Sequence, residues 1–200
     1  MHSRPQSAPQ HDALYRTAEA QAGYFTTRQA AIAGFTRPLL AHHARNGQFQ
    51  RVRHGVYRLT RFPDMPHADL FIAHLEVGPR SVVSHESALA LYELTDVLPS
   101  AIHLTVPRTS SRRHSGLRLH TRRLNPDEVT QRHGLPVTTV LRTLTDIASG
   151  HRPNELVRQA VHEALQRGLV TRSVLSAYAA KRRGAFARLI AEMLPTKKVS

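Results

Sequence analysis

The sequence predicts an α+β chain in two parts. Three short helices and a hairpin come first, followed by a mixed α+β domain with a small sheet and C-terminal helices. Three observations predict this. Before residue 47, apolar residues recur at helical spacing in three short runs, each with its own start and stop signals. Across residues 49–59 the period switches to two, around a central His54-Gly55. Just beyond that segment the balance of charge changes sign.

The first helix is expected to start at Asp12 as cap and run to about Ala22. Leu14, Tyr15, Ala18 and Ala22 form its stripe, and Gly23 is the left-handed stop. Phe25-Thr26-Thr27 opens a second helix, with Thr26 or Thr27 as cap, passing through Ala30, Ala31 and Ile32 to end at Gly34. Thr36-Arg37-Pro38 opens a third: a Thr cap, then Pro in the first turn, where its missing N–H costs nothing. This helix runs to Arg45 and stops at Asn46-Gly47. Residues 49–53 and 56–59 then form a tight hairpin turning at His54-Gly55. Helices two and three are joined only by Gly34-Phe35-Thr36, so the pattern is that of a winged helix-turn-helix.

Residues 1–62 carry nine basic and two acidic residues, and residues 63–96 carry one and six. Residues 97–126 carry six and none, and residues 127–200 carry twelve and six. The first sign change falls at Phe62-Pro63-Asp64-Met65-Pro66, and a domain boundary is expected there. The expected organisation is a disordered Pro-, Ser- and Gln-rich tail at 1–10, a winged-helix domain at 11–62, and an α+β domain at 63–200. In the last, residues 68–76 read as a helix, and Ser84 caps another. Residues 101–106 and 117–122 alternate as strands. Leu141, Leu144 and Ile147 share a helical face, and three helices follow at 154–166, 171–181 and 185–194.

The formal charge is +14, with 28 Lys+Arg against 14 Asp+Glu, and only Lys181, Lys197 and Lys198 are lysines. Arginine presents a planar fork of donors suited to phosphates and guanine edges. With a pI near 11.4, an acidic polymer is the expected partner. The absence of cysteine excludes disulfides, thiolate metal sites and cysteine catalysis. No apolar run approaches the roughly 18–20 residues of a membrane span, and residues 1–10 hold no hydrophobic leader. A cytoplasmic, nucleoid-associated bacterial protein with no membrane partner is expected.

In a winged helix the third helix enters the major groove with its N-terminal half nearest the bases. Leu40 and Ala44 should pack inward with His43 beside them, leaving Thr36, Arg37, His42 and Arg45 for the DNA. Arg37 is expected on a base edge, a guanine. Thr27 and Arg28 should meet a phosphate at the start of the second helix. Arg51, Arg53, His54 and Arg58 should lie along the backbone or in a minor groove. Winged helices also dock proteins, but nothing acidic occurs between Gln21 and Phe62, which favours DNA. A second basic surface is expected at Arg108, Arg112, Arg113, Arg118, Arg122 and Arg123. The same charges would equally serve to guard a strand edge against aggregation.

No catalytic residue, metal site or cofactor is expected. His42 and His43 are adjacent and point about 100° apart on a helix. No His-Glu-x-x-His occurs, and His85-Glu86 falls in a capping stretch. Ser84-His85-Glu86 cannot converge as neighbours on one helix. Asp127-Glu128 lies at a helix start after Pro126, without the lysine that restriction-type nucleases carry. No Gly-rich phosphate loop is present.

Three segments together resemble the AbiEi family of antitoxins, which belong to abortive-infection, type IV toxin–antitoxin pairs. They are Tyr24-Phe-Thr-Thr-Arg-Gln-Ala30, Arg45-Asn-Gly-Gln-Phe-Gln-Arg-Val-Arg-His-Gly-Val-Tyr-Arg-Leu59 and Val83-Ser-His-Glu-Ser-Ala-Leu-Ala-Leu91. A further tract, Leu135-Pro-Val-Thr-Thr-Val-Leu-Arg-Thr-Leu-Thr-Asp-Ile-Ala148, also fits, so the likeness spans residues 12–170. Pro38 and His42-His43 depart from the family pattern. The resemblance implies a winged helix that binds inverted repeats in its own promoter as a repressor. It also implies a C-terminal domain that counters a nucleotidyltransferase-like toxin, often without a stable complex. Such a protein would be a monomer or weak dimer, paired on double-stranded DNA. The alternative is a stand-alone winged-helix transcriptional regulator with a ligand- or partner-binding C-terminal domain.

Overall fold

The computed structural model describes residues 8–96, 98–107, 115–150 and 154–195. Most of the expected disordered tail, together with Arg108, Arg112 and Arg113, lies outside the described residues. The chain divides into two compact units, residues 1–79 and 80–200.

The first unit contains α1 (His11–Glu19), β1 (Tyr24–Thr26), α2 (Thr27–Ile32), α3 (Arg37–Arg45), β2 (Phe49–Arg53), β3 (Val56–Leu59) and α4 (Ala68–Val77). The strands form an antiparallel sheet in the order β1-β3-β2. Leu14, Ala18, Phe25, Ala30, Phe35, Leu40 and Phe49 are its buried core, with Tyr57 and Leu59 packed against them. Phe25 is the hub, edge-on to Phe49 at 5.0 Å and stacked on Tyr57 at 5.8 Å. Each such side chain taken from water contributes roughly 1.5–3 kcal/mol. This is the expected winged helix, with one strand more than the alternation revealed.

The caps explain where the helices begin. Thr26 Oγ1 accepts from the Gln29 N–H at 3.1 Å, and Gln29 Oε1 accepts in return from the Thr26 N–H at 2.8 Å, a complete capping box for α2. Thr36 Oγ1 accepts from the Leu39 N–H at 3.3 Å and caps α3. Asp12, expected as a cap, lies inside the first turn of α1 instead, where its charge faces the positive end of the helix. That helix stops at Glu19, short of the expected Ala22. Gly23, at φ +86°, donates its N–H to the Ala18 carbonyl, and a Cβ there would lie 2.6 Å from the Phe62 ring. Only glycine meets both demands.

The division of the chain differs from the boundary expected after residue 62. Helix α4 packs on β1 and β3 and buries Leu70, Phe71 and Ala73, so it belongs to the first unit. The prolines at 63 and 66 mark an irregular connection within that unit, and the acidic stretch that follows them runs across the division, with Asp64, Asp69 and Glu76 before it and Glu86, Glu93 and Asp96 after it.

The second unit contains β4 (Val82–Val83), α5 (His85–Leu91), β5 (Ile102–Val106), β6 (Leu117–Thr121), a 3-10 turn (Pro126–Glu128), β7 (Val129–Arg132) and β8 (Leu135–Thr138). Helices α6 (Val140–Ser149), α7 (Asn154–Gln166), α8 (Arg172–Ala180) and α9 (Ala185–Met193) follow. The sheet order is β6-β5-β4-β8-β7. β5 and β6 run parallel, as do β4 and β8, while β4/β5 and β7/β8 are antiparallel. Leu89, Leu104, Leu135, Val137, Leu144, Val157, Val161 and Phe186 form its buried interior. No helix among the described residues is long and apolar enough to cross a membrane.

Candidate functional site

In α3, Leu40 is buried, and His43 and Ala44 are half-buried, while Arg37, Ala41, His42 and Arg45 are exposed. This is the facing expected from the spacing. His43 is part of the packing: its ring lies 4.9 Å from Phe49 and 5.5 Å from His11, and it bonds to Gln48. His42 sits one step around the helix, where Asn46 Nδ2 donates to its Nε2 at 2.9 Å. The two adjacent histidines therefore do different work, one inside and one out.

The wing turns at His54-Gly55 with Gly55 at φ +75°, and the ladder carries an irregularity between Arg51 and Arg53. Arg51, Arg53 and His54 are exposed, with Arg51 Nη2 donating to His54 Nδ1 at 3.2 Å. Arg28 is exposed on α2. Among the described residues, none of Arg28, Arg37, Arg45, Arg51 and Arg53 is in an ion pair. The exposed face of α3 and the wing is thus cationic without internal compensation.

Two of the residues expected at the DNA have partners within the chain. The Thr27 N–H donates to the Gly55 carbonyl at 2.9 Å, so it ties α2 to the wing turn rather than standing ready for a phosphate. Arg58 lies on β3, the central strand, where its side chain is only 17% exposed. Its Nη2 donates to the Phe62 carbonyl and to Asp64 Oδ1, both at 2.7 Å, and its guanidinium lies 5.9 Å from the Tyr24 ring. It braces the segment after the wing. Of the second basic stretch, Arg118, Arg122 and Arg123 are exposed; Arg118 borders a cavity, and Arg122 lies 3.9 Å from Asp146.

That cavity, of about 330 Å³, is lined by His85, Glu86, His103, Arg118, His120, Asp146, Ile147 and Gly150. The parallel register pairs His103 with Arg118 and Thr105 with His120, which puts all four on one face of the sheet. His85, the first residue of α5, adopts φ +52°, and its ring stacks on His120 with centroids 3.5 Å apart. His120 Nε2 and His103 Nδ1 share a hydrogen bond at 3.1 Å, and His103 Nε2 lies 3.3 Å from Glu86 Oε2. Ser84, expected as a side-chain cap, makes no cap bond. Its Oγ accepts from Thr105 at 2.8 Å and meets His85 Nδ1 at 3.0 Å. Burial, then the neighbouring His120, pushes the His85 pKa down to about 3. Burial also lowers that of His120, with Asp146 opposing the shift. Both rings are therefore neutral at physiological pH.

Beside the cavity, Arg142 is buried between two carboxylates. Its Nε reaches Asp146 Oδ1 and Oδ2 at 2.9 and 3.0 Å, and its Nη1 reaches Glu128 Oε1 at 2.9 Å. Burial pushes Glu128 upward, but the Asn125 N–H and Arg142 outweigh it and hold the carboxyl below its ordinary range. The expected helix start at Asp127-Glu128 is a single 3-10 turn whose Glu128 accepts from the Asn125 N–H at 3.0 Å.

Residues 12–60 match the model of a family described as transcriptional regulators, AbiEi antitoxin. The matched segment runs from α1 through β3. No curated protein matches the chain.

Proposed function

We propose that this chain, with an AbiEi-type regulator's winged helix at residues 12–60, is a DNA-binding antitoxin that represses its own operon and counters a nucleotidyltransferase-like toxin. The observation that carries the DNA-binding part is the uncompensated set of exposed guanidiniums on α2, α3 and the wing. Lying along a duplex, such a set releases condensed counterions from the phosphates it neutralises. Arg37, in the first turn of α3, reaches a guanine and donates to its O6 and N7. Arg28 and Arg45 take flanking phosphates, and Arg51, Arg53 and His54 follow the sugar-phosphate backbone. The tether from Thr27 to the Gly55 carbonyl fixes the wing relative to the helix-turn-helix, so groove and backbone contacts form together. Two copies pair on an inverted-repeat operator without needing a stable dimer in solution.

The second unit is the part left to meet the toxin. A second reading, a stand-alone regulator whose C-terminal unit binds a ligand, is favoured by the histidine-lined cavity. Co-expression separates the two. An antitoxin restores growth to cells producing a nucleotidyltransferase encoded beside it, and a stand-alone regulator does not.

A gel shift on the DNA upstream of the chain's own gene tests the DNA contact. Arg37→Ala should weaken operator binding by about 1–3 kcal/mol and relax specificity at one base pair. Equal binding by both proteins would remove α3 from the groove.

A further inference from the structure

Outside the nucleic-acid face, the feature most in need of a chemical explanation is the convergence of three imidazoles from three separate elements of the second unit. One ligand atom each from His85, His103 and His120 lies within 4.8 Å of the others. Four ligands held tetrahedrally at the roughly 2.0–2.1 Å of a zinc–imidazole bond stand about 3.4 Å apart. His120 Nε2 and His103 Nδ1, at 3.1 Å, are already near that separation. We propose that His85, His103 and His120 bind a divalent first-row transition metal ion, with Zn2+ the expected occupant.

The outer contacts are those a metal-ligating histidine needs. Glu86 Oε2 lies 3.3 Å from His103 Nε2; accepting that N–H turns the Nδ1 lone pair toward His120. Ser84 Oγ meets His85 Nδ1, which leaves Nε2 of that ring for the ion. Partners of this kind fix the tautomer and orientation of metal ligands. The proton now between His120 and His103 is what the ion displaces, and His120 then carries its proton on Nδ1. The His85 and His120 rings lie face to face at an interplanar angle of 12°. Binding therefore turns one of them about its side-chain torsions until both lone pairs aim at one point. His85 is held at φ +52°, in a region that a non-glycine side chain enters at a cost and that recurs at functional sites.

The donor set selects the class of ion. Three imidazoles with nearby carboxylates suit Zn2+, Co2+ or Ni2+ better than Mg2+ or Ca2+, which demand oxygen. The cavity beside the trio leaves a fourth position open to water. Arg118, on its wall, supplies a cation beside that position, so a small anion could also be accepted there. This inference does not depend on the DNA-binding reading, because every residue in it belongs to the second unit.

The test uses untagged full-length protein stripped of metal with a chelator. Titration with Co2+ should give visible d–d absorption that saturates at one ion per chain and is abolished by Zn2+. His120→Gln, at a half-exposed position, should remove the absorption while leaving the far-UV circular dichroism intact. Glu86→Gln should weaken Co2+ binding by roughly 10- to 100-fold, as loss of an outer-shell partner does. His162→Ala, at an exposed position on α7, should leave Co2+ binding unchanged. In wild-type protein with 15N-labelled histidine, Zn2+ should shift the ring nitrogens of three residues and no others. Absence of a saturable 1:1 complex, its persistence in His120→Gln, or its loss in His162→Ala would each overturn the proposal.

Discussion

Arg142 offers the sharpest test of the second unit's energetics. Its guanidinium is 8% exposed and contacts Asp146, whose side chain is 2% exposed, and Glu128, whose side chain is 12% exposed. Arg142→Met preserves most of the side-chain stem and removes the charge. Two carboxylates are then left in a poorly solvated place facing each other. Removing one partner of a buried ion pair costs about 3–5 kcal/mol, because the survivor keeps its desolvation penalty without its compensation. Two nearby cations temper this: Arg122 lies 3.9 Å from Asp146, and Arg182 lies 3.9 Å from Glu128. A loss of about 3 kcal/mol is therefore expected, at the low end of that range. The assay is urea unfolding of the full chain by far-UV circular dichroism, with the midpoint and slope of the second unit's transition compared between variants. Adding Asp146→Leu to Arg142→Met should recover part of the loss, since the stranded carboxylate goes with it. A cost below about 1 kcal/mol, the range of exposed pairs, would refute the reasoning. So would a double variant whose cost is the full sum of the single ones.

Two further predictions follow from the same kind of contact. Glu128 is held below its ordinary pKa, so its contribution is present above the carboxylate range of about 4.3 and is lost as pH falls through the lower, folded value. Glu128→Gln should flatten the fall in unfolding midpoint on acidification below about pH 5, and superimposable profiles would count against the assignment. Arg58→Ala should lower the stability of the first unit by about 1 kcal/mol through loss of the Phe62 and Asp64 contacts, with the salt dependence of DNA binding unchanged. A flatter salt dependence would return Arg58 to the DNA face.

What the sequence makes legible divides along the range of the interactions. Helix starts rest on contacts three residues apart, so Thr36 was readable as a cap and the start of α2 was narrowed to Thr26 or Thr27, of which the structure uses Thr26. Inward and outward positions on α3 follow from the 3.6-residue period alone, and Leu40 and Arg37 fell where it put them. Strand β1, three residues long, is too short to show a period; it exists because β3 lies beside it. β4 is shorter still. The β7–β8 hairpin turns at His133-Gly134, both at positive φ, and that dipeptide was the signal that could have found it. The histidine trio was hidden for a stronger reason. Residues 85, 103 and 120 meet only through the pairing of β5 with β6 and the packing of α5 on β5. Local spacing along the chain, which brings together only neighbours such as His42-His43 and His85-Glu86, cannot reveal such a meeting. The Asp64 partner of Arg58 was not legible either, because alternation along a strand does not say whether the strand is central or at an edge.

Net charge alone overstates the nucleic-acid face, and sorting the arginines by partner gives a sharper expectation. Arg58, Arg142, Arg158 and Arg167 are each held by a carboxylate at 3.0 Å or less, so they have little to gain from a phosphate. Arg16 and Arg61 are exposed too, but lie on α1 and after the wing; on α2, α3 and the wing, Arg28, Arg37, Arg45, Arg51 and Arg53 remain. If four of these meet phosphates while Arg37 meets a base, log K should fall against log salt with a slope of about −3.6 per bound copy. It should approach −4.5 if all five meet phosphates, at roughly −0.9 for each phosphate neutralised. Fluorescence anisotropy of labelled operator DNA, across about 50–200 mM salt, measures this. Were the arginines after residue 107 also on the DNA, the slope would steepen well past −6 by the same rule. Arg118→Ala with Arg122→Ala would then flatten it. The expected result is a slope near −4 per copy that this double substitution leaves alone, since Arg118 borders the histidine cavity and Arg122 leans toward Asp146. A steep slope sensitive to those two positions would instead extend the DNA-binding surface into the second unit.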